Sequence, residues 1–313
     1  MDRISLRSSD NEVIRKFPER WGLLGFWKGE ELLYLVKSSD LRRKLKRMLD
    51  IDDSASPVRE LIHEADSVGF EVHFNAVSAL IAEKVMLLGE QPFYNNRLQP
   101  YRDYVYLALD ARRFPFVGVQ DYTMEDWVYI GPFRSRFYLM DMIDAFSRWL
   151  LLPCCETGQY PCGRRDGNVC RGWCLNLDDE GKEQPQPEYT LDKLEQLIKA
   201  VYVYPQDALM KLLHQERKRS FDELEFSKCE MIDYDLNIVG EYYDWLSFLH
   251  QAKELNFETE TFGVDSGQLS WAKVDGREYR FAVLNPEFRP NELLALLKET
   301  VDESRILYEF RNK

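Results

Sequence analysis

Between Leu152 and Asn176 the chain reads LPCCETGQYPCGRRDGNVCRGWCLN, and five of the six cysteines among its 313 residues fall there: Cys154, Cys155, Cys162, Cys170 and Cys174. Only Cys229 lies elsewhere. Thiols used as small apolar core residues would be dispersed, so this bunching reads as a ligand set that closes a short loop around a metal or cluster; inert buried thiols are the bland alternative. The stretch from Met1 to Phe17 lacks an apolar run of signal-peptide length, and no later segment approaches the ~18 apolar residues of a membrane helix. A cytoplasmic location without membrane contact is therefore expected. In that reducing compartment clustered cysteines are metal ligands or redox groups before they are disulfides. Four thiolates suit tetrahedral zinc and an iron–sulfur cluster equally, and spacing alone does not separate them.

The formal net charge of -13 argues against general coating of nucleic acid, which is driven by lysine and arginine replacing counterions. The charge is unevenly placed. Arg42, Arg43, Lys44, Lys46 and Arg47 form a basic run that serves either as a solvated helix face or as a phosphate contact. Ahead of it, Gly22 to Trp27 and Leu32 to Val36 read as a β-hairpin, and Ser39 or Asp40 caps the basic helix. Ser56-Pro57 opens the next helix, Phe70 to Phe74 alternates as a third strand, and Ala76 to Leu88 is a helix apolar nearly all round. Such a helix is buried. Its acid, Glu83, is costly there unless it is paired, metal-bound or directed into a cleft.

Farther on, Tyr104 to Leu109 and Phe116 to Val119 read as a hairpin, Gly131-Pro132-Phe133 as a turn, and Arg136 to Leu151 as an amphipathic helix leading to the cysteines. Asp178 to Glu188 has linker composition. Leu191 to Val203, Pro205 to Asp222 and Glu241 to Leu255 read as helices. Asp275-Gly276 marks a hairpin, and Pro290 to Val301 reads as the last helix.

The order of hairpin, basic helix, second helix, strand, Glu83-bearing helix and Pro92-Phe93-Tyr94-Asn95 resembles the GIY-YIG nuclease domain of the excinuclease UvrC and its shorter relative Cho. Asp110 to Phe116, Gly131-Pro132-Phe133-Arg134-Ser135, and Cys162, Cys170 and Cys174 in C-x7-C-x3-C spacing resemble the segment C-terminal to that domain in the same family. The resemblance implies Mg²⁺ or Mn²⁺ on Glu83, with Asn95 as its polar support. It puts Tyr34 on the tyrosine of the second signature triplet, near the nucleophile, and Lys37 on the lysine shortly after it. It implies an iron–sulfur cluster on Cys155, Cys162, Cys170 and Cys174, with Cys154 as a substitute ligand and zinc as the alternative. DNA is the implied substrate, contacted by Arg42, Arg43, Lys46 and Arg47. Leu224-Glu225-Phe226 resembles the core of the helix hairpin that meets UvrB in that family, although an ordinary amphipathic helix explains the same residues.

Three positions depart from the pattern. The first signature triplet is Gly22-Leu23-Leu24, so a leucine stands where the family has a tyrosine. Val36 replaces a glycine, and Lys44 falls on the family's helix arginine. Leu24 supplies no hydroxyl, and Lys44 is a point charge where a planar fork was used. Tyr34, Lys37, Lys44, Glu83 and Asn95 are the candidate catalytic residues. Tyr34 and Lys37 also suit a core aromatic and a snorkelling lysine.

The expected class is α+β. A small mixed sheet flanked by helices would occupy residues 1–100, and a hairpin, helix and cysteine region residues 101–177. A mostly helical C-terminal module with a β-hairpin would fill residues 178–313. The expected function is single-strand incision in nucleotide excision repair, with a UvrB-like repair partner. The alternative is a module that kept the fold and binds DNA or a repair partner without cleavage.

Overall fold

The first four strands, β1 (Asp2–Ser5), β2 (Gly22–Lys28), β3 (Glu31–Ser38) and β4 (Ser67–Val72), form one sheet in the order β1-β4-β2-β3. Four helices accompany it: α1 (Asp10–Arg15), α2 (Leu41–Leu49), α3 (Pro57–Glu64) and α4 (Ala76–Glu90). Their starts are written in capping residues. Asp40 accepts the Arg43 N–H at 2.8 Å, Ser56 precedes Pro57, and Asn75 and Ser78 cap each other's backbone. Leu41, Leu45 and Met48 of α2 and Leu61 of α3 bury against Leu24, Phe26, Leu33 and Tyr34 of the hairpin.

The computed structural model describes residues 1–6, 10–53, 55–124, 127–152, 167, 170–176, 190–204, 207–284 and 294–313. They divide into two units, Met1–Pro100 with Glu254–Leu284 and Asp302–Lys313, and Tyr101–Lys253 with Asn285–Val301.

In the second unit, β5 (Val105–Leu109), β6 (Val117–Gln120) and β7 (Val128–Phe133) are joined by a two-residue strand, Leu294–Ala295, parallel to β7. Helices α5 (Arg136–Leu150), α6 (Leu191–Ile198), α7 (Asp207–Asp222) and α8 (Phe226–Ala252) complete it. Tyr242 of α8 stacks on Phe133 of β7 and meets Phe146 of α5 edge-on. Asp235 is fully buried at the α5–α8 contact, held by the Arg148 guanidinium and by the Trp149 indole N–H at 2.9 Å. A buried carboxylate needs such partners.

The chain then returns to the first unit as β8 (Phe257–Glu258), β9 (Phe262–Asp265), β10 (Gln268–Val274), β11 (Arg277–Arg280) and α9 (Val301–Arg311). The β10–β11 turn has Asp275 and Gly276 at φ 50° and 76°, as the Asp-Gly signal predicts. This return covers α4. On one side Ala79 meets Leu23 and Leu35; on the other, Val77 and Leu80 meet Phe262, Val264, Leu269, Ala272 and Leu307. Two apolar layers explain why α4 is apolar nearly all round.

Several expectations are corrected. The first sheet is antiparallel in every pairing rather than mixed. The connection through α2 and α3 joins β3 to β4 on the far side of β2, so these two strands, which run the same way, never pair. The strand expected at Phe70 to Phe74 ends at Val72, because His73 and Phe74 lead into the Asn75 cap. Gly131-Pro132-Phe133 is strand, not turn. The helix placed at Glu241 to Leu255 begins at Phe226. The last helix is Val301–Arg311, since Leu294–Ala295 is drawn into the β7 sheet. Residues 254–284 and 302–313 belong with the N-terminal hundred residues, not with a separate C-terminal module, because they bury the outer face of α4.

Candidate active site

The site grows from an edge. β3 has a strand partner on one side only, so the backbone groups of Leu35 and Lys37 that face outward lack a ladder. Side chains take that place. Leu35 N–H donates to Asn95 Oδ1 at 2.9 Å, and Asn95 Nδ2 donates to the Leu35 carbonyl at 2.7 Å. Two residues on, the Lys37 N–H donates to Glu83 Oε1 at 2.8 Å and the Lys37 Nζ to Glu83 Oε2 at 2.6 Å. α4 supplies Glu83; its Gln91 cap, at φ 45°, and the short turn Phe93–Asn96 bring Asn95 back to β3. Glu83 and Lys37 are 10% and 22% exposed in their side chains, so the pair is shielded yet reachable from one side.

Glu83 is the electrostatic centre of the expected constellation. Burial pulls the Lys37 ammonium down, but Glu83, then Asp302 and Glu303, more than offset it, and its pKa stands above the ordinary value. Burial first, and then Glu83, hold the Tyr34 phenol well above the usual tyrosine range. Tyr34 is therefore a neutral hydroxyl near pH 7. It is 4% exposed and packs with Leu24 and Phe26 in the α2-facing core. Burial and Arg47 pull Lys44 down, opposed by Glu83. Leu24 is fully buried.

The basic helix is not uniformly available. Arg42 Nε donates to the Phe17 carbonyl at 2.8 Å, and its guanidinium pairs with Glu19. Arg43 lies 3.8 Å from Asp40. Lys46 and Arg47 are exposed.

Among the described residues, no group of three or more His, Cys, Asp or Glu side chains is placed to hold a metal. A single carboxylate is nonetheless chemically adequate for Mg²⁺, which keeps several waters and completes its shell with phosphate oxygens. Of the cysteines, Cys154, Cys155 and Cys162 lie outside the described residues. Cys170 accepts the Gly172 N–H at 3.2 Å, a donor that suits a thiolate ligand. The Arg171 N–H donates to the Leu151 carbonyl at 3.1 Å, bringing that cysteine beside the end of α5.

Sequence reasoning missed Asp302 and Glu303, whose charges reach Lys37 from a helix more than two hundred positions away. No local signal marks them. No helix among the described residues is long and apolar enough to cross a membrane.

No family model matches the chain. Among curated proteins, UvrABC system protein C of Thermus thermophilus is 26% identical over 246 residues, covering 77% of this chain and 40% of that protein. The same protein of Fervidobacterium nodosum is 24% identical over 171 residues, covering 53% of this chain and 30% of that one. The chain is UvrC-like. The UvrC-like chain spans between 30% and 40% of the length of these two relatives. A solved GIY-YIG N-terminal endonuclease domain of UvrC from Thermotoga maritima, bound to its catalytic divalent cation magnesium, covers 28% of the UvrC-like chain and 97% of that domain. The identity is 25% and the TM-score 0.26.

Proposed function

We propose that this chain is a UvrC/Cho-like DNA-repair protein whose first unit makes a metal-dependent single-strand incision, as in nucleotide excision repair. The observation that carries the reading is the contact of Glu83 with Lys37 at the open edge of β3, a carboxylate and a cation held together where a backbone phosphate can approach. When bound, Mg²⁺ or Mn²⁺ supplies Lewis-acid polarisation of the phosphodiester and an acidified water. Glu83 is the residue that holds it. Lys37, whose ammonium lies at the Glu83 carboxylate, would offer its positive charge to the phosphate oxygens. Tyr34, a neutral phenol, orients the nucleophile by hydrogen bonding; Asn95 keeps β3 in register beside Glu83. Lys44 adds positive charge, and Arg43, Lys46 and Arg47 track the DNA backbone.

Cys155, Cys162, Cys170 and Cys174 are assigned an iron–sulfur cluster, with zinc as the alternative and Cys154 as a spare. Iron and sulfide analysis against zinc content separates the two. A UvrB-like partner fits the tip of the α7–α8 hairpin, where Phe221, Leu224 and Phe226 are 53%, 71% and 55% exposed.

A second reading has its own observation. Leu24 is sealed in the core, and Lys37 satisfies both oxygens of Glu83, an arrangement that is self-sufficient without a metal. In that reading the unit binds DNA or a repair partner and does not cut. Conversion of supercoiled plasmid to nicked circles by wild type and Glu83→Ala tests the first reading, and a gel shift on the same DNA tests the second.

A further inference from the structure

Lys84 follows Glu83 and makes a contact of opposite sense about 100° farther round α4. Its Nζ lies 2.6 and 2.7 Å from the two carboxylate oxygens of Glu303 in α9, and 5.3 Å from the centre of the Phe281 ring. Glu303 is 8% exposed. Its Oε1 also accepts the Leu269 N–H of β10 at 2.7 Å, so α4, α9 and β10 meet on one carboxylate. The apolar layer of Val77, Leu80, Leu269 and Leu307 surrounds this point.

Successive helix residues are about 100° apart around the axis. α4 is therefore held against rolling by two lysine–carboxylate pairs of opposite sense: its acid reaches out to β3, and its lysine to α9. A side-chain tip about 6 Å from the axis moves about 2 Å for a roll of about 20°. That displacement separates Glu83 from both donors of Lys37.

We propose that Glu303 is a positioning residue of the candidate site: acting through Lys84, it fixes the rotation of α4 and so presents Glu83 to Lys37. The C-terminal helix is then part of the site although it contributes no group to the chemistry. Its relevance to incision rests on the reading of Glu83 as the metal-holding residue; the positioning itself does not.

The test uses the full chain with Glu303→Gln, Lys84→Met and, as control, Phe310→Ala, which loosens α9 where it packs on Phe257 and Phe262. Phe310→Leu replaces the control if the alanine variant does not fold. Two quantities are read at a temperature where every variant is folded: amide hydrogen exchange at Lys37, whose N–H reports the presence of Glu83, and Mn²⁺ affinity by calorimetry. In Glu303→Gln and Lys84→Met, Lys37 should exchange at least about tenfold faster and Mn²⁺ should bind about tenfold more weakly, as for other outer residues that orient a ligand. The control should lower Tm and leave both quantities near wild type. Unchanged exchange at Lys37 in Glu303→Gln, or equal acceleration in the control, overturns the proposal. Faster exchange at Lys37 in a protein that binds no Mn²⁺ even as wild type upholds the positioning role and removes the metal reading of Glu83.

Discussion

Lys37 grips Glu83 twice, through its backbone N–H at 2.8 Å and its ammonium at 2.6 Å, so one carboxylate both closes the edge of β3 and neutralises a half-buried cation. The contact has structural and chemical consequences that separate experimentally.

Glu83→Ala leaves the Lys37 ammonium shielded and unpaired, with the edge N–H open. Breaking a fully buried pair from one side costs about 3 kcal/mol or more, and partial exposure of Lys37 lowers that figure. Urea denaturation should show that loss, and Glu83→Ala combined with Lys37→Met should recover much of it. A loss no larger in Glu83→Ala than in the double variant would mean that the pair carries little stability.

Asn95→Ala removes two hydrogen bonds to Leu35 and leaves its backbone groups without a partner, which costs about 1–3 kcal/mol. The Leu35 amide should exchange faster with solvent, while the β2–β3 hairpin amides on the other side stay protected. Uniform loss of protection across the sheet would assign Asn95 a wider role than edge closure.

Alkaline pH separates Tyr34 from an ordinary surface phenol. Its folded pKa is raised by burial and by Glu83, whereas the unfolded value is about 10. The unfolded chain therefore loses the proton first, and stability falls as pH rises above about 10, by up to about 1.4 kcal/mol per pH unit for one proton. Lys37, also raised, acts in the same direction: its contribution is intact below its ordinary value and declines as pH rises through the folded one. Tyr34→Phe should make the alkaline decline of stability shallower than in wild type. Superimposable pH profiles would contradict this.

The basic helix predicts an internal contrast. Lys46→Ala and Arg47→Ala should each weaken DNA binding and reduce the slope of log affinity against log salt by about 0.9 per lost phosphate contact. Arg42→Ala should leave that slope nearly unchanged, since its guanidinium already serves Phe17 and Glu19. A salt series of gel shifts reads both.

Local chemistry carried the sequence reading where it succeeded. Asp40, Ser56 and Asn75 announce helix starts through their own side chains, Asp275-Gly276 announces a turn, and the all-round apolarity of α4 announces burial. The cover of α4 is not local. Phe262, Leu269 and Leu307 are ordinary core residues of a hairpin and a helix, and nothing in their immediate sequence says which surface they meet. Glu303 belongs to the same class, because its partner is 219 positions away. The edge role of Asn95 was hidden for another reason: only the strand order shows that β3 has an open side.

The central claim is that Glu83 makes the first unit a metal-dependent nicking site, and supercoiled plasmid incubated with Mn²⁺ addresses it most directly. The account predicts nicked circles from wild type and at least about a hundredfold slower conversion by Glu83→Ala, in line with loss of the residue that holds a catalytic metal, while both proteins retard the same DNA in a gel. Equal conversion by the two proteins, or none by wild type, would contradict it.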